Sequence, residues 1–184
     1  MQHDPRQTQF LTVITRDEAA ARFQRHLRLS PLGREIASLQ DAVGRILADD
    51  VRASVDVPAF DRSNVDGFAV QAADTFGAME EAARSVVLTD EVLSPGIVPR
   101  ATVSAGRATT IATGGMLPRG ADAVVMVEHT DVSRDSGQLE ITRAVAPGEN
   151  VSYAGTDIAK GETVLRAGQK LTSREIGVLA AIGV

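Results

Sequence analysis

The stretch Pro58-Ala59-Phe60-Asp61-Arg62-Ser63-Asn64-Val65-Asp66-Gly67-Phe68-Ala69-Val70 constrains this chain more than any other. It sets Asp61, Ser63, Asn64 and Asp66 between two aromatic residues in a chain whose aromatic content is only 3%. Asp and Asn favour turns because their side chains hydrogen-bond nearby backbone, and Gly67 supplies any positive φ the turn requires. Phe68-Ala69-Val70 predicts the start of a buried strand. Asp66 therefore falls where a turn meets a strand, a frequent place for site residues. On local sequence alone, a capping turn whose carboxylates satisfy backbone N–H groups is the plainer reading.

With 43% hydrophobic residues and so few aromatics, the core must be built from Val, Leu, Ile and Ala. A chain of 184 residues buries a real core as one domain or two small ones. The absence of Trp, the single Tyr and a net charge of −5 argue against a nucleic-acid partner, which needs stacking platforms or a basic surface. Without cysteine there are no disulfides, thiolate metal sites or Cys nucleophiles. His3, His26 and His129 show no ligand spacing, so no metal site is expected. Met1 to Phe10 is polar, without an apolar signal region, and no stretch approaches the length of a membrane span. A cytoplasmic location follows by default.

Along the chain, residues 1–12 are expected to form an unstructured leader. Thr15-Arg-Asp-Glu18 fits a capping box opening a helix with Ala19, Phe23 and Leu27 on one apolar stripe. Glu35 to Leu39 predicts a short strand, Gln40 to Leu47 a short helix, and Asp49 to Val55 a strand or extended arm. Gln71–Glu81 reads as a loop or helical turn, Arg84–Asp90 as a strand, and Pro95-Gly96 as a turn.

The second informative stretch runs from Thr109 to Glu128. A strand ends in Thr113-Gly114-Gly115, a loop follows with Pro118 and Gly120, and an apolar strand begins at Ala123. Consecutive glycines allow close approach to a ligand and can present N–H groups to an anion. Hairpins use Gly-Gly just as readily. Neither a Walker loop nor a Rossmann fingerprint is present. Val124–Val132 and Leu139–Ala146 flank the hairpin turn Asp135-Ser136-Gly137, and a polar connection, Pro147 to Ile158, precedes a short strand, Thr163 to Arg166. Thr172-Ser-Arg-Glu175 repeats the capping-box pattern and opens a helix through Ile182, C-capped by Gly183, with Ile176, Leu179, Ala180 and Gly183 as its buried stripe. The end at Val184 looks like a cut just before a next element.

Three patterns together resemble the N-terminal region of the molybdopterin molybdenumtransferase family (MoeA, and the E domain of gephyrin). They are the Pro-x-Phe-Asp-x-Ser-x-x-Asp-Gly-Tyr/Phe-Ala-Val motif at 58–70, the Thr-Gly-x-x-x-Pro-x-Gly-Ala-Asp-Ala-Val-Val-x-x-Glu motif at 113–128, and a partial Gly-x-Asn-x-Arg-x-x-Gly-Glu-Asp-Ile motif at 148–158. The resemblance implies an α+β fold: an elongated first domain from residues 13–52 and 154–184, and an inserted, mostly β second domain from 53–153. It implies insertion of molybdate into adenylylated molybdopterin by a homodimer, with pterin-nucleotide and Mg²⁺ bound by a further domain after Val184. This chain by itself is then expected to be inactive.

Carried over residue by residue, Asp66, Thr113 and Asp157 take catalytic roles, and Ser63, Gly114, Gly115 and Glu128 take binding roles. In this picture the Thr113 hydroxyl and glycine N–H groups hold a molybdate oxygen, and the carboxylates orient water or assist proton transfer. The sequence departs from the family at Ser152, where an Arg is expected, at Thr156 for Glu, at Asn64-Val65 for Ala-Met, and at Arg119, where an acid is common. Loss of that Arg removes a bidentate anion clamp. The alternative is a non-catalytic binding or dimerisation module of a divergent fusion or regulatory protein.

Overall fold

Short apolar runs broken by glycine and proline become short strands, and α-helix is confined to two elements near the ends of the described chain. The computed structural model describes residues 13–133 and 137–184, so the turn residues Asp135 and Ser136 and the leader 1–12 lie outside them. The chain divides into two units, Met1–Ile36 and Ala37–Val184.

The first unit carries helix α1, Arg16–Gln24. Thr15 caps it, its Oγ accepting the Glu18 N–H at 3.2 Å. Only half of the expected capping box is formed: the Glu18 carboxylate instead accepts from Arg22 at 2.7 Å, one helical turn on. The expected apolar stripe is not a core face either. No residue of α1 is buried, Phe23 is 68% exposed, and Leu27 lies beyond the helix.

The second unit contains β1 Val51–Arg52, β2 Arg62–Ser63, β3 Gly67–Val70, β4 Arg84–Leu93, β5 Arg107–Ile111, β6 Ala123–Met126, β7 Thr130–Ser133, β8 Gln138–Ile141, β9 Val151–Ser152 and β10 Thr163–Leu165, then helix α2, Ser173–Ala181. Six strands form one sheet in the order β6-β3-β5-β4-β8-β7, antiparallel except where β4 runs parallel to β5. All four residues of β3 are buried, as a strand covered on both faces requires. Successive side chains alternate between faces. Phe68 and Val70 pack with Val86, Ala108, Val125, Leu139 and Ile141. Ala69 packs on the other side with Leu93, Ile111 and Val124. These are the small aliphatics that the composition demanded, and the fold is α+β.

A separate apolar cluster joins Ala42, Leu165, Leu171 and Leu179. Here β1 pairs with β10, and α2 lays its buried side against them. The capping box of α2 is complete: the Thr172 N–H donates to Glu175 at 2.9 Å, and the Thr172 hydroxyl donates to the same carboxylate. The stripe it buries is Glu175, Leu179 and Ile182; Ala180 and Gly183 are exposed, contrary to the expected register. Gly183, at φ 80°, ends the helix.

Three further expectations are corrected. Residues 35–38 form no strand, and Gln40–Leu47 is not a helix beyond the single 3-10 turn Leu39–Asp41. Gly44 sits at φ 85°, outside helical space, and the N–H groups of Gly44 and Leu47 donate to Leu171 and Gln169 instead. Val124–Val132 is two strands, interrupted by a 3-10 turn at Val127–His129 where the Val127 N–H turns toward the Asp66 carbonyl at 3.1 Å.

Candidate functional site

The stretch from Val57 through the turn between β2 and β3 is the centre of the candidate site, and the other two sequence motifs are bonded to it. On one side, the Ser63 N–H donates to the Gly115 carbonyl at 3.0 Å, the Gly114 N–H to the Ser63 carbonyl at 2.8 Å, and the Leu117 N–H to the Asp61 carbonyl at 2.8 Å. On the other side β2 pairs with β9, Arg62 opposite Ser152 and Ser63 opposite Val151. The Ala154 N–H donates to the Asp61 carboxylate at 2.8 Å, and the Asp157 N–H to the Val57 carbonyl at 2.9 Å. Segments distant in sequence thus converge on residues 57–66.

Asp66 and Thr113 meet across 47 positions. One oxygen of Asp66, Oδ1, accepts the Thr113 N–H at 2.7 Å and the Thr113 hydroxyl at 2.8 Å. The backbone N–H, then the hydroxyl, hold the Asp66 carboxyl below its ordinary range, outweighing a small opposing effect of desolvation. Asp66 is exposed, anionic at neutral pH, and a weak base. It borders a cleft of about 260 Å³ whose other walls include Phe68, Val92, Ile111, Ala112 and Val127.

Close packing fixes this arrangement. β3 passes β6 so closely at Gly67 that a Cβ there would lie 1.9 Å from the Val125 carbonyl oxygen. A Cβ on Gly115 would lie 2.7 Å from the Leu93 oxygen. Both positions therefore demand glycine, and both lie within the motifs.

The Thr-Gly-Gly turn does not present the donor array expected for an anion. The Thr113 N–H and hydroxyl go to Asp66, the Gly114 N–H to Ser63, and the Gly115 N–H to the Ala112 carbonyl at 2.8 Å. In this conformation the glycines shape the turn. Ser63, expected to touch a ligand, is 1% exposed, and its hydroxyl donates to the Val65 carbonyl at 2.6 Å, bracing the turn from inside. Glu128 is exposed on the 3-10 turn that follows β6. Asp157 is exposed too, and among the described residues no hydrogen bond joins it to Asp66 or Thr113. Among the described residues no group of three acidic or histidine side chains is placed to hold a metal ion, so these residues do not fit Mg²⁺.

One bracing residue, Asn150, escaped the sequence reading, and the distant partner of a second, Asp61, was not foreseen. Asn150 adopts φ 61°, accepts the Asn64 N–H at 2.9 Å, and donates its side-chain amide to the Val124 carbonyl at 2.8 Å. Asp61 pins the third motif through Ala154. Asp and Asn at turns are the available signal, but local sequence does not say which backbone group each will find. The departures Asn64 and Ser152 bond to each other, the Ser152 hydroxyl donating to the Asn64 amide oxygen at 2.7 Å. A neutral pair stands where the resemblance placed a cation.

The chain matches the family described as the MoeA N-terminal region (domain I and II) over residues 14–183. The molybdopterin molybdenumtransferase of Bacillus subtilis is 38% identical over 151 residues, covering 81% of this chain and 35% of that protein. That of Haemophilus influenzae is 33% identical over 172 residues, covering 94% of this chain and 41% of that protein. A solved molybdopterin biosynthesis moeA protein from Pyrococcus horikoshii OT3 superposes with a TM-score of 0.73 at 38% identity, over 82% of this chain and 39% of that one. A second solved structure of a Pyrococcus moea protein gives a TM-score of 0.80 at 35% identity, over 91% of this chain and 42% of that one. The fold is that of the first part of MoeA proteins. The chain belongs to the MoeA family, and it spans roughly 35–41% of the length of these curated relatives.

Proposed function

We propose that this chain supplies the N-terminal region of a molybdopterin molybdenumtransferase, which inserts molybdate into adenylylated molybdopterin with release of AMP. The observation that carries this reading is the Asp66–Thr113 pair, which joins two family motifs through two bonds to one oxygen. Oδ1 is filled, and Oδ2 has no protein partner among the described residues. A carboxylate held anionic and partly satisfied orients a water or hydroxyl better than it abstracts a proton. The Thr113 hydroxyl, already donating its hydrogen bond to Asp66, offers lone pairs rather than a donor. This end of the site therefore suits a donor-bearing group of the substrate or an attacking water, and the oxyanion is held elsewhere.

Mg²⁺ belongs, in this reading, to a further domain, together with the pterin-nucleotide. Of the proposed division into a first domain (13–52 with 154–184) and an inserted second domain (53–153), the joining of residues 37–52 to 154–184 is supported by the separate cluster of Ala42, Leu165, Leu171 and Leu179. In this reading the working protein is a homodimer in the cytoplasm. No helix among the described residues is long and apolar enough to cross a membrane.

The test is a chimera in which residues 14–183 replace the matching region of the Bacillus subtilis relative. Molybdenum cofactor and AMP should form from adenylylated molybdopterin and molybdate, and Asp66→Asn should slow this at least about a hundredfold. An undiminished rate in the variant removes Asp66 from the chemistry. A folded but inactive chimera would favour the binding or dimerisation module, the reading that the neutral Asn64–Ser152 pair supports.

A further inference from the structure

The turn that carries Asp66 keeps little backbone freedom of its own. The Ser63 hydroxyl donates to the Val65 carbonyl at 2.6 Å and accepts the Val65 N–H at 3.2 Å. The Asp66 carbonyl accepts the Val127 N–H at 3.1 Å. The Asn64 N–H, two residues before Asp66, reaches out of the turn, and its acceptor is the Asn150 carbonyl at 2.9 Å.

Asn150 meets that N–H because of its own backbone. Among the described residues it is the one non-glycine residue with positive φ, 61°, a conformation that Asn tolerates better than most side chains do. While its carbonyl serves Asn64, its side-chain amide donates to the Val124 carbonyl at 2.8 Å. β6 is an edge strand, and the Val124 N–H donates to the Glu149 carbonyl at 3.1 Å. Residues 149–150 therefore cover the open edge of β6 at Val124. Val127, which holds the Asp66 carbonyl, directly follows that strand. Asn150 thus grips the turn ahead of Asp66 and the strand whose continuation grips it from behind.

We propose that Asn150 is a positioning residue for Asp66, a role that rests on the reading of Asp66 as a group serving the reaction. It holds the turn so that Oδ1 stays within reach of both Thr113 donors and Oδ2 keeps facing substrate or water. The two bonds to Oδ1, at 2.7 and 2.8 Å, leave little room. A displacement of about 0.5 Å or more takes them past ordinary hydrogen-bond distance. Asn150 makes no hydrogen bond to Asp66 or Thr113, so its influence passes through Asn64 and β6.

The experiment follows the 184-residue chain by NMR, through hydrogen exchange of the Asn64 amide and titration of the Asp66 carboxyl carbon. Asn64 is exposed, so slowed exchange of its amide reports the bond to Asn150. Asn150→Gly keeps the left-handed backbone and loses the amide, and it should lower that protection about tenfold. Asn150→Val, whose branched side chain resists positive φ, should abolish the protection and carry the Asp66 midpoint toward its ordinary 3.8. Ser54→Ala, which removes a hydroxyl bond to the Ile182 carbonyl, should leave both readings unmoved. In the chimera, Asn150→Val should lower kcat about tenfold or more with KM little changed. An unprotected Asn64 amide in the native chain, an Asp66 midpoint that a folded Asn150→Val leaves in place, or an equal shift in Ser54→Ala would each overturn the proposal. If Asn150→Val does not fold, undiminished Asn64 protection in Asn150→Gly overturns it. A chimera inactive before any substitution defeats the reading of the reaction alone, and the titration still decides the positioning.

Discussion

The two ends of the loop from Thr113 to Gly120 are tied down alike and charged oppositely. At the Thr113 end the backbone donors are consumed within the protein, and the group left over is an anionic carboxylate oxygen of Asp66. At the Arg119 end the backbone is equally tied, yet the exposed groups are the guanidiniums of Arg119 and of Arg100, the latter near enough to Glu91 to favour its carboxylate form. A glycine-rich turn is therefore not an anion site by composition. What matters is which donors remain after the turn has satisfied itself.

The largest expected effect tests whether close packing holds the Thr113 end. Gly67→Ala places a Cβ 1.9 Å from the Val125 carbonyl oxygen, in the middle of the sheet. Stability should fall by about 3 kcal/mol or more, read from the midpoint of urea unfolding. Gly114→Ala meets nothing closer than Pro95 at 3.4 Å, so only its left-handed backbone resists, at about 1–2 kcal/mol. Equal losses in the two variants would show that the approach of β3 to β6 is not what fixes the site.

A smaller effect concerns the neutral pair. Ser152→Ala removes the bond to Asn64 and should cost about 1 kcal/mol or less, since the bond is open to water and Ser152 is only half-buried. A loss of several kcal/mol would mean that the pair organises the turn rather than decorating it.

Much of this was legible beforehand, for identifiable reasons. Phe68-Ala69-Val70 and Ala123 onward are apolar, β-branched or small, and bounded by turn residues, and they became β3 and β6. The capping box at Thr172 needs only residues three apart, and it formed in full. Gln40 to Leu47 misled because its apolar residues suggest helical spacing, while its backbone partners lie at 169–171, far along the chain. In the site, the shared role of Asp66 and Thr113 came from the family resemblance, and local periodicity alone would not have found it. The sense of the bonds was not legible. Whether Gly114 and Gly115 donate to a ligand or to Ser63 and Ala112 depends on strand pairing that no single stretch encodes. Arg119 stood out as a departure, but Arg100, which borders the same cleft, belongs to another loop.

The central claim is that Thr113 holds Asp66 as an anion, and the most direct test is the titration of the Asp66 carboxyl carbon by NMR. Its pKa is lowered on folding, so the stability this bond contributes is fully present above the ordinary value of 3.8 and is lost as pH falls through the lower folded value. The account predicts a midpoint below 3.8 in the native protein. In Thr113→Val the midpoint should move only part of the way back, because the backbone N–H, the larger of the two influences, remains. A native midpoint at or above 3.8, or one that Thr113→Val leaves untouched, would contradict it.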